Sequence, residues 1–116
     1  MQLPRRLQFI RNTKTWRMAR EWRYLRRMKP RLDFYGALAL SNQLVFDIGA
    51  NAGNYTLLFR KVGALVVAVE PQAALAAALE ARFSNAADVS VVRAAVGSVA
   101  SIGILRKTPS LSEVAS

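Results

Sequence analysis

Residues Leu44–Glu70, LVFDIGANAGNYTLLFRKVGALVVAVE, carry the fold of this chain. A short apolar run enters Asp47-Ile48-Gly49-Ala50-Asn51-Ala52-Gly53, and a second apolar run ends at Glu70. Leu44 to Ile48 mixes β-branched and aromatic residues, as expected of a strand covered on both faces. Tyr55, Leu58, Phe59 and Val62 follow the i, i+3, i+4, i+7 spacing of a helix, and Gly63 supplies its stop. Leu65 to Val69 reads as a second buried strand. Residue types and spacing together describe a nucleotide-type cofactor site between the two strands.

Working outward, the alternation continues. Ala73 to Phe83 is rich in Ala and Leu, places Leu75, Leu79 and Phe83 on one helical face, and stops at Ser84-Asn85. Val89 to Val96 reads as a third strand closed by Gly97, and Ser101 to Leu105 is the candidate for a fourth. The expected fold is therefore α/β. It is a Rossmann-like parallel sheet built as βαβαβ, with right-handed crossovers and strand order 3-2-1, preceded by a basic helix. The chain divides into a basic helical arm (1–40) and a partial cofactor-binding domain (41–116).

Charge separates these two parts. Residues 1–31 hold eleven of the 17 basic side chains and one of the seven acidic ones, Glu21, so the whole net charge of +10 lies in the arm. Met18, Ala19, Trp22, Leu25 and Met28 recur at three- and four-residue spacing, with Arg17, Arg20, Arg23 and Arg27 elsewhere on the wheel. The pattern predicts a basic amphipathic helix bounded by Pro30. Two readings of that helix stand. It packs its apolar stripe on the domain and leaves its arginines in water. Alternatively, it engages nucleic acid or an anionic membrane, with Trp16, Trp22 and Tyr24 stacking on bases or sitting at the lipid interface. A targeting peptide fits less well, because no apolar run follows Arg5-Arg6 and the arm is poor in Ser. No window approaches a membrane span, so a soluble or peripheral, cytoplasmic protein is expected.

Composition excludes several chemistries. The chain has no Cys and no His, which removes disulfides, thiolate ligands and the commonest general base, and no metal site is expected. Catalysis would have to use carboxylates, Lys, Tyr or positioning.

The loop after the first strand then discriminates among ligands. Gly49 and Gly53 remove Cβ atoms that would obstruct a ligand, and Asn51 tolerates positive φ. The N–H groups near Asn54 and Tyr55 open the helix toward the site. Asp47 lies at the rim of the first strand, and Glu70 follows at close to the ~20-residue offset at which an acidic residue takes ribose hydroxyls. A dinucleotide fingerprint would need glycine at 51 and 54, where both residues are Asn. A phosphate-cradling G-x-x-x-x-G-K-[ST] is absent as well. What remains is D-x-G-x-N-x-G, in which the leading carboxylate suits a ligand bearing an amino acid in place of a pyrophosphate. Singly, these residues are turn glycines, a helix cap and a strand end; jointly, at these offsets, they mark a site.

Val45 to Thr56 (VFDIGANAGNYT), Val69-Glu70-Pro71 and Ala94-Ala95-Val96-Gly97 resemble the motifs of class I S-adenosylmethionine-dependent methyltransferases, and more narrowly of the FkbM family. The resemblance covers roughly Leu44 to Gly97. It implies that Asp47, Gly49, Asn51 and Gly53 line the methionine part of S-adenosylmethionine, that Glu70 holds the ribose, and that Ala95 and Val96 lie beside the adenine. It further implies O-methylation of a hydroxyl on a sugar, glycan or natural product. Such enzymes have about seven strands, so this chain reads as the front portion of one, with its first strand open to self-association. No catalytic residue is identified, because Glu80 and Asp88 fall on elements expected to face away from the loop.

Overall fold

The apolar runs and the helical segments between them alternate as the spacing predicts. The computed structural model describes residues 13–106, and among these are four helices and a three-stranded parallel sheet. The elements, in order, are α1 (Lys14–Arg27), α2 (Lys29–Ala37), β1 (Leu44–Ile48), α3 (Asn54–Lys61), β2 (Leu65–Val69), α4 (Ala73–Arg82) and β3 (Val89–Val92). β2 lies between β1 and β3, which is the expected strand order. Asp47 pairs with Ala68 and Ile48 with Val69, while Val69 pairs in turn with Val92.

Side chains of paired residues in parallel strands share a face. Val66, Ala68, Val89 and Val91 belong to one face of the sheet, and Ala68 joins Leu57 of α3, Leu79 of α4 and Phe83 in the core. Leu57, Leu58 and Leu79 are fully buried, and each such leucine contributes about 1.5–3 kcal/mol. The other face carries Leu44, Phe46, Ile48, Leu65 and Val92, all exposed. The expectation that β1 is covered on both faces is thus corrected, whereas in β2 Val69 of this same face is buried. Two successive crossovers of one hand deliver both helices to the same side of the sheet. Among the described residues β1 is also an edge strand.

Two further corrections concern strand ends. β3 stops at Val92 instead of Val96, because its partner runs out. Glu70 N donates to Val92 O at 3.0 Å, after which Pro71 has no N–H and the chain turns into α4. Ser101 to Leu105 is exposed irregular chain and forms no strand, since no neighbouring ladder is offered to it.

The arm departs from the sequence reading at Pro30. Thr13 caps α1, its Oγ1 accepting from Trp16 N at 3.3 Å, and α1 ends at Arg27. Pro30 sits in the first turn of α2, where its missing N–H costs nothing, and helix resumes to Ala37. The packing face of α1 is also rotated from the expected stripe. Tyr24 and Leu25 pack on the core, whereas Met18 and Trp22 are each 60% exposed. Tyr35 of α2 meets Phe59 of α3 edge-on at 5.0 Å between ring centroids, which holds α2 against the domain. Among the described residues, no helix is long and apolar enough to cross a membrane.

Candidate functional site

The chain leaves β1 by wrapping over the end of β2. Gly49 N and Ala50 N both donate to Val69 O, at 2.8 and 3.1 Å, so the parallel ladder continues one step into the loop. Gly49 (φ +72°) and Asn51 (φ +52°) then take left-handed conformations, which reverse the chain toward α3. Asn51 is the non-glycine residue suited to this, as its spacing in the motif predicts.

Glu70 fixes that reversal. Its Oε2 accepts from Asn51 N at 3.0 Å and its Oε1 accepts from Gln72 N at 3.1 Å, so one carboxylate clamps the glycine loop to the turn that starts α4. The residue is only 4% exposed. A carboxylate oxygen accepts more than one hydrogen bond, so acceptor capacity remains on both oxygens. Asp47 lies on the covered face, half-buried, and its Oδ2 accepts from Thr56 Oγ1 at 2.6 Å. Thr56 is fully buried, so the carboxylate is held in one orientation. Its other oxygen takes no hydrogen bond among the described residues.

The two glycines prove unequal. A Cβ on Gly49 would meet no atom within 4 Å, so that edge of the loop is open. A Cβ on Gly53 would lie 2.7 Å from Leu79 Cδ2 and 2.8 Å from Phe83 Cε2. Gly53 is therefore small so that α4 can pack against the loop, and the expectation that its missing Cβ clears a path for a ligand is corrected.

Three residues to which the sequence assigned no role at the loop support it. Arg82 Nη1 donates to Ala52 O at 2.6 Å and to Asn54 Oδ1 at 3.3 Å, and Tyr24 Oη donates to Asn54 O at 3.1 Å. Burial pushes the Tyr24 hydroxyl above its ordinary pKa, and the neighbouring Tyr55 adds to this. Burial lowers Arg82 below its ordinary value, with Glu21 opposing and Arg20 reinforcing the shift. Thr56, the third, lies within the quoted motif, where a hydroxyl beside Leu57 and Leu58 is the visible signal. Nothing in the local pattern marks Arg82 or Tyr24, whose contacts join residues about 30 positions apart.

Ala95 lines a cavity of about 780 Å³ beside the ends of β2 and β3, together with Pro71, Gln72, Arg93 and Ile102. Val96 is exposed and does not line it, nor do Asp47, Gly49, Asn51, Gly53 or Glu70. The structure thus gathers Asp47, Gly49, Asn51, Gly53 and Glu70 at one loop, joins Asn51 to Glu70 and Asp47 to Thr56 by separate hydrogen bonds, and leaves Ala95 and Val96 on the segment after β3. Tyr55 is exposed, with the Arg31 guanidinium 5.9 Å from its ring centroid, and does not enter the core. Asp88 accepts from Arg60 Nε at 2.9 Å, and Glu80 is exposed on α4. Among the described residues, no group of three His, Cys, Asp or Glu could hold a metal ion. Comparison with family models, with curated proteins and with solved structures gives no match.

Proposed function

We propose that this chain is the cofactor-binding portion of an S-adenosylmethionine-dependent methyltransferase of the FkbM kind, its βαβαβ sheet being Rossmann-like. The observation that carries the reading is the clamp between the ends of two parallel strands. An acidic residue closing the second strand holds the backbone of a left-handed D-x-G-x-N-x-G loop closing the first. Ligands of open α/β sheets bind outside these carboxyl ends, and the loop is open there at Gly49.

The residues present fit the cofactor. Asp47, oriented by Thr56, would accept from the amino group of the methionine portion through its remaining oxygen, and Gly49 and Asn51 would let the backbone come close to it. Glu70 would take the ribose hydroxyls on the acceptor capacity left after its two backbone bonds. Ala95 and its neighbours would flank the adenine. The bound cofactor supplies an electrophilic methyl group, and the acceptor implied by family likeness is a hydroxyl of a sugar, glycan or natural product. The chain's own contribution is to place the two in line. None of its described carboxylates is assigned as the base.

Isothermal titration with S-adenosylmethionine and with its demethylated product tests this reading. Saturable binding that Asp47→Ala abolishes is expected. Absence of heat with folded protein would refute it.

A further inference from the structure

The outer face of α1 is unexplained by a cofactor site. Tyr24 and Leu25 turn inward to the core, which leaves Trp22, Arg23 and Arg26 on the opposite side of the helix, with Trp16 partly buried at its margin and Arg27 reaching both this side and the hollow that Tyr24 lines. There each indole is covered by a guanidinium. Arg23 stands 5.5 Å from the Trp16 ring centroid and Arg26 stands 5.3 Å from that of Trp22. Trp22, Arg23, Arg26 and Arg27 enclose a shallow cavity of about 400 Å³. The ion pairs among the described residues are Lys29–Asp33 and Arg60–Asp88, so among these residues no α1 arginine is paired with a carboxylate. Glu21, the acidic residue of α1, lies on the inner side with Tyr24, beside Arg82.

We propose that this face binds single-stranded nucleic acid, the guanidiniums taking phosphates and the two indoles stacking on bases. Both chemistries are required by what the face displays. Phosphates alone would account for the arginines but not for the indoles held beside them, Trp22 60% exposed and Trp16 partly buried, whereas a single strand offers both anions and flat π faces. A bilayer surface is the weaker match. An interfacial helix needs an apolar sector free to enter the acyl boundary, and in α1 Leu25 faces inward while the outward indoles are capped by charge. Because the recognition elements are phosphates and base faces, the sugar is not read, and DNA and RNA strands are expected to bind alike.

The test uses the full chain and labelled oligothymidylate and oligouridylate, followed by fluorescence anisotropy against salt. Binding is expected at low salt, equal for the two probes within a few-fold. The Arg23→Ala, Arg26→Ala double variant should lower the salt slope by about 1.4, at about 0.7 for each phosphate that is no longer neutralised. Trp22→Ala should lose on the order of 10- to 100-fold in affinity with its slope unchanged. Wild-type tryptophan emission should be quenched by either oligonucleotide but not by heparin, a polyanion without bases, and this readout needs no variant. The proposal is overturned if Lys61→Ala, Arg106→Ala, which removes equal charge elsewhere, weakens binding as much. It is equally overturned if heparin quenches as the strands do, or if phosphatidylserine vesicles bind more tightly than either strand with a blue-shifted emission.

Discussion

Substituting alanine at the two loop glycines separates a packing role from a ligand role. Gly53 has φ +88° and Gly49 φ +72°, so both variants place an L side chain in the left-handed region at about 1–2 kcal/mol. Only Gly53→Ala adds a clash. Its methyl would lie 2.7 Å from Leu79 and 2.8 Å from Phe83, two buried core residues, and such overpacking costs about 1–3 kcal/mol more. Gly53→Ala is thus expected to lose about 2–5 kcal/mol, and Gly49→Ala about 1–2 kcal/mol. Domains of this size hold roughly 5–15 kcal/mol, so the first loss is a large share of the total. Urea unfolding followed by far-UV circular dichroism reads the difference as a shift in midpoint at constant slope. In binding the ranking reverses: Gly49→Ala puts its methyl at the open edge and should weaken S-adenosylmethionine at small cost to stability. Equal destabilisation of the two variants would refute the packing argument.

Thr56→Val keeps the shape of a fully buried side chain but leaves the Asp47 carboxylate without its donor, which should cost about 1–3 kcal/mol in urea unfolding and weaken cofactor binding in the same titration. Tyr24→Phe removes the hydroxyl that donates to Asn54 O, for about 0.5–1.5 kcal/mol at neutral pH. The raised Tyr24 pKa carries a sign. The stability it contributes is intact below the ordinary tyrosine value of about 10 and is lost as pH rises through the higher folded value. Tyr24→Phe should therefore flatten that alkaline decline, measured by melting temperature against pH. Leu44, Phe46 and Ile48 line an open edge strand and are 59, 59 and 54% exposed, so sedimentation velocity should show concentration-dependent association that Phe46→Lys suppresses.

The sheet is legible in the sequence because each strand is a short β-branched run and a crossover helix falls in each interval between them, although in α3 the fully buried residues are Thr56, Leu57 and Leu58 and Tyr55 of the expected stripe is exposed. The left-handed loop is legible as well, since Gly49 and Asn51 are residue types that accept positive φ. What the chain's pattern conceals is partnership. Whether Val92 or Val96 ends β3 depends on Pro71 in another strand's exit, and whether Gly53 faces a ligand or a helix depends on Leu79 and Phe83. The inward face of α1 is concealed for the same reason. Tyr24 groups by residue type with the stacking aromatics, yet its hydroxyl reaches the loop, while Trp22 of the expected apolar stripe points to solvent. Pro30 misleads because a proline inside a first turn and a proline ending a helix look alike in sequence.

If the Asp47–Gly53 loop, clamped by Glu70, holds S-adenosylmethionine as proposed, its backbone amides respond to the ligand. Amide chemical shifts of the isotope-labelled chain, recorded as S-adenosylmethionine is added, test it most directly. Saturable shifts are expected at Gly49, Ala50, Asn51 and Glu70, with the amides of α1 from Lys14 to Arg23 unmoved. A titration that leaves the loop amides in place, or that moves only those of α1, would contradict it.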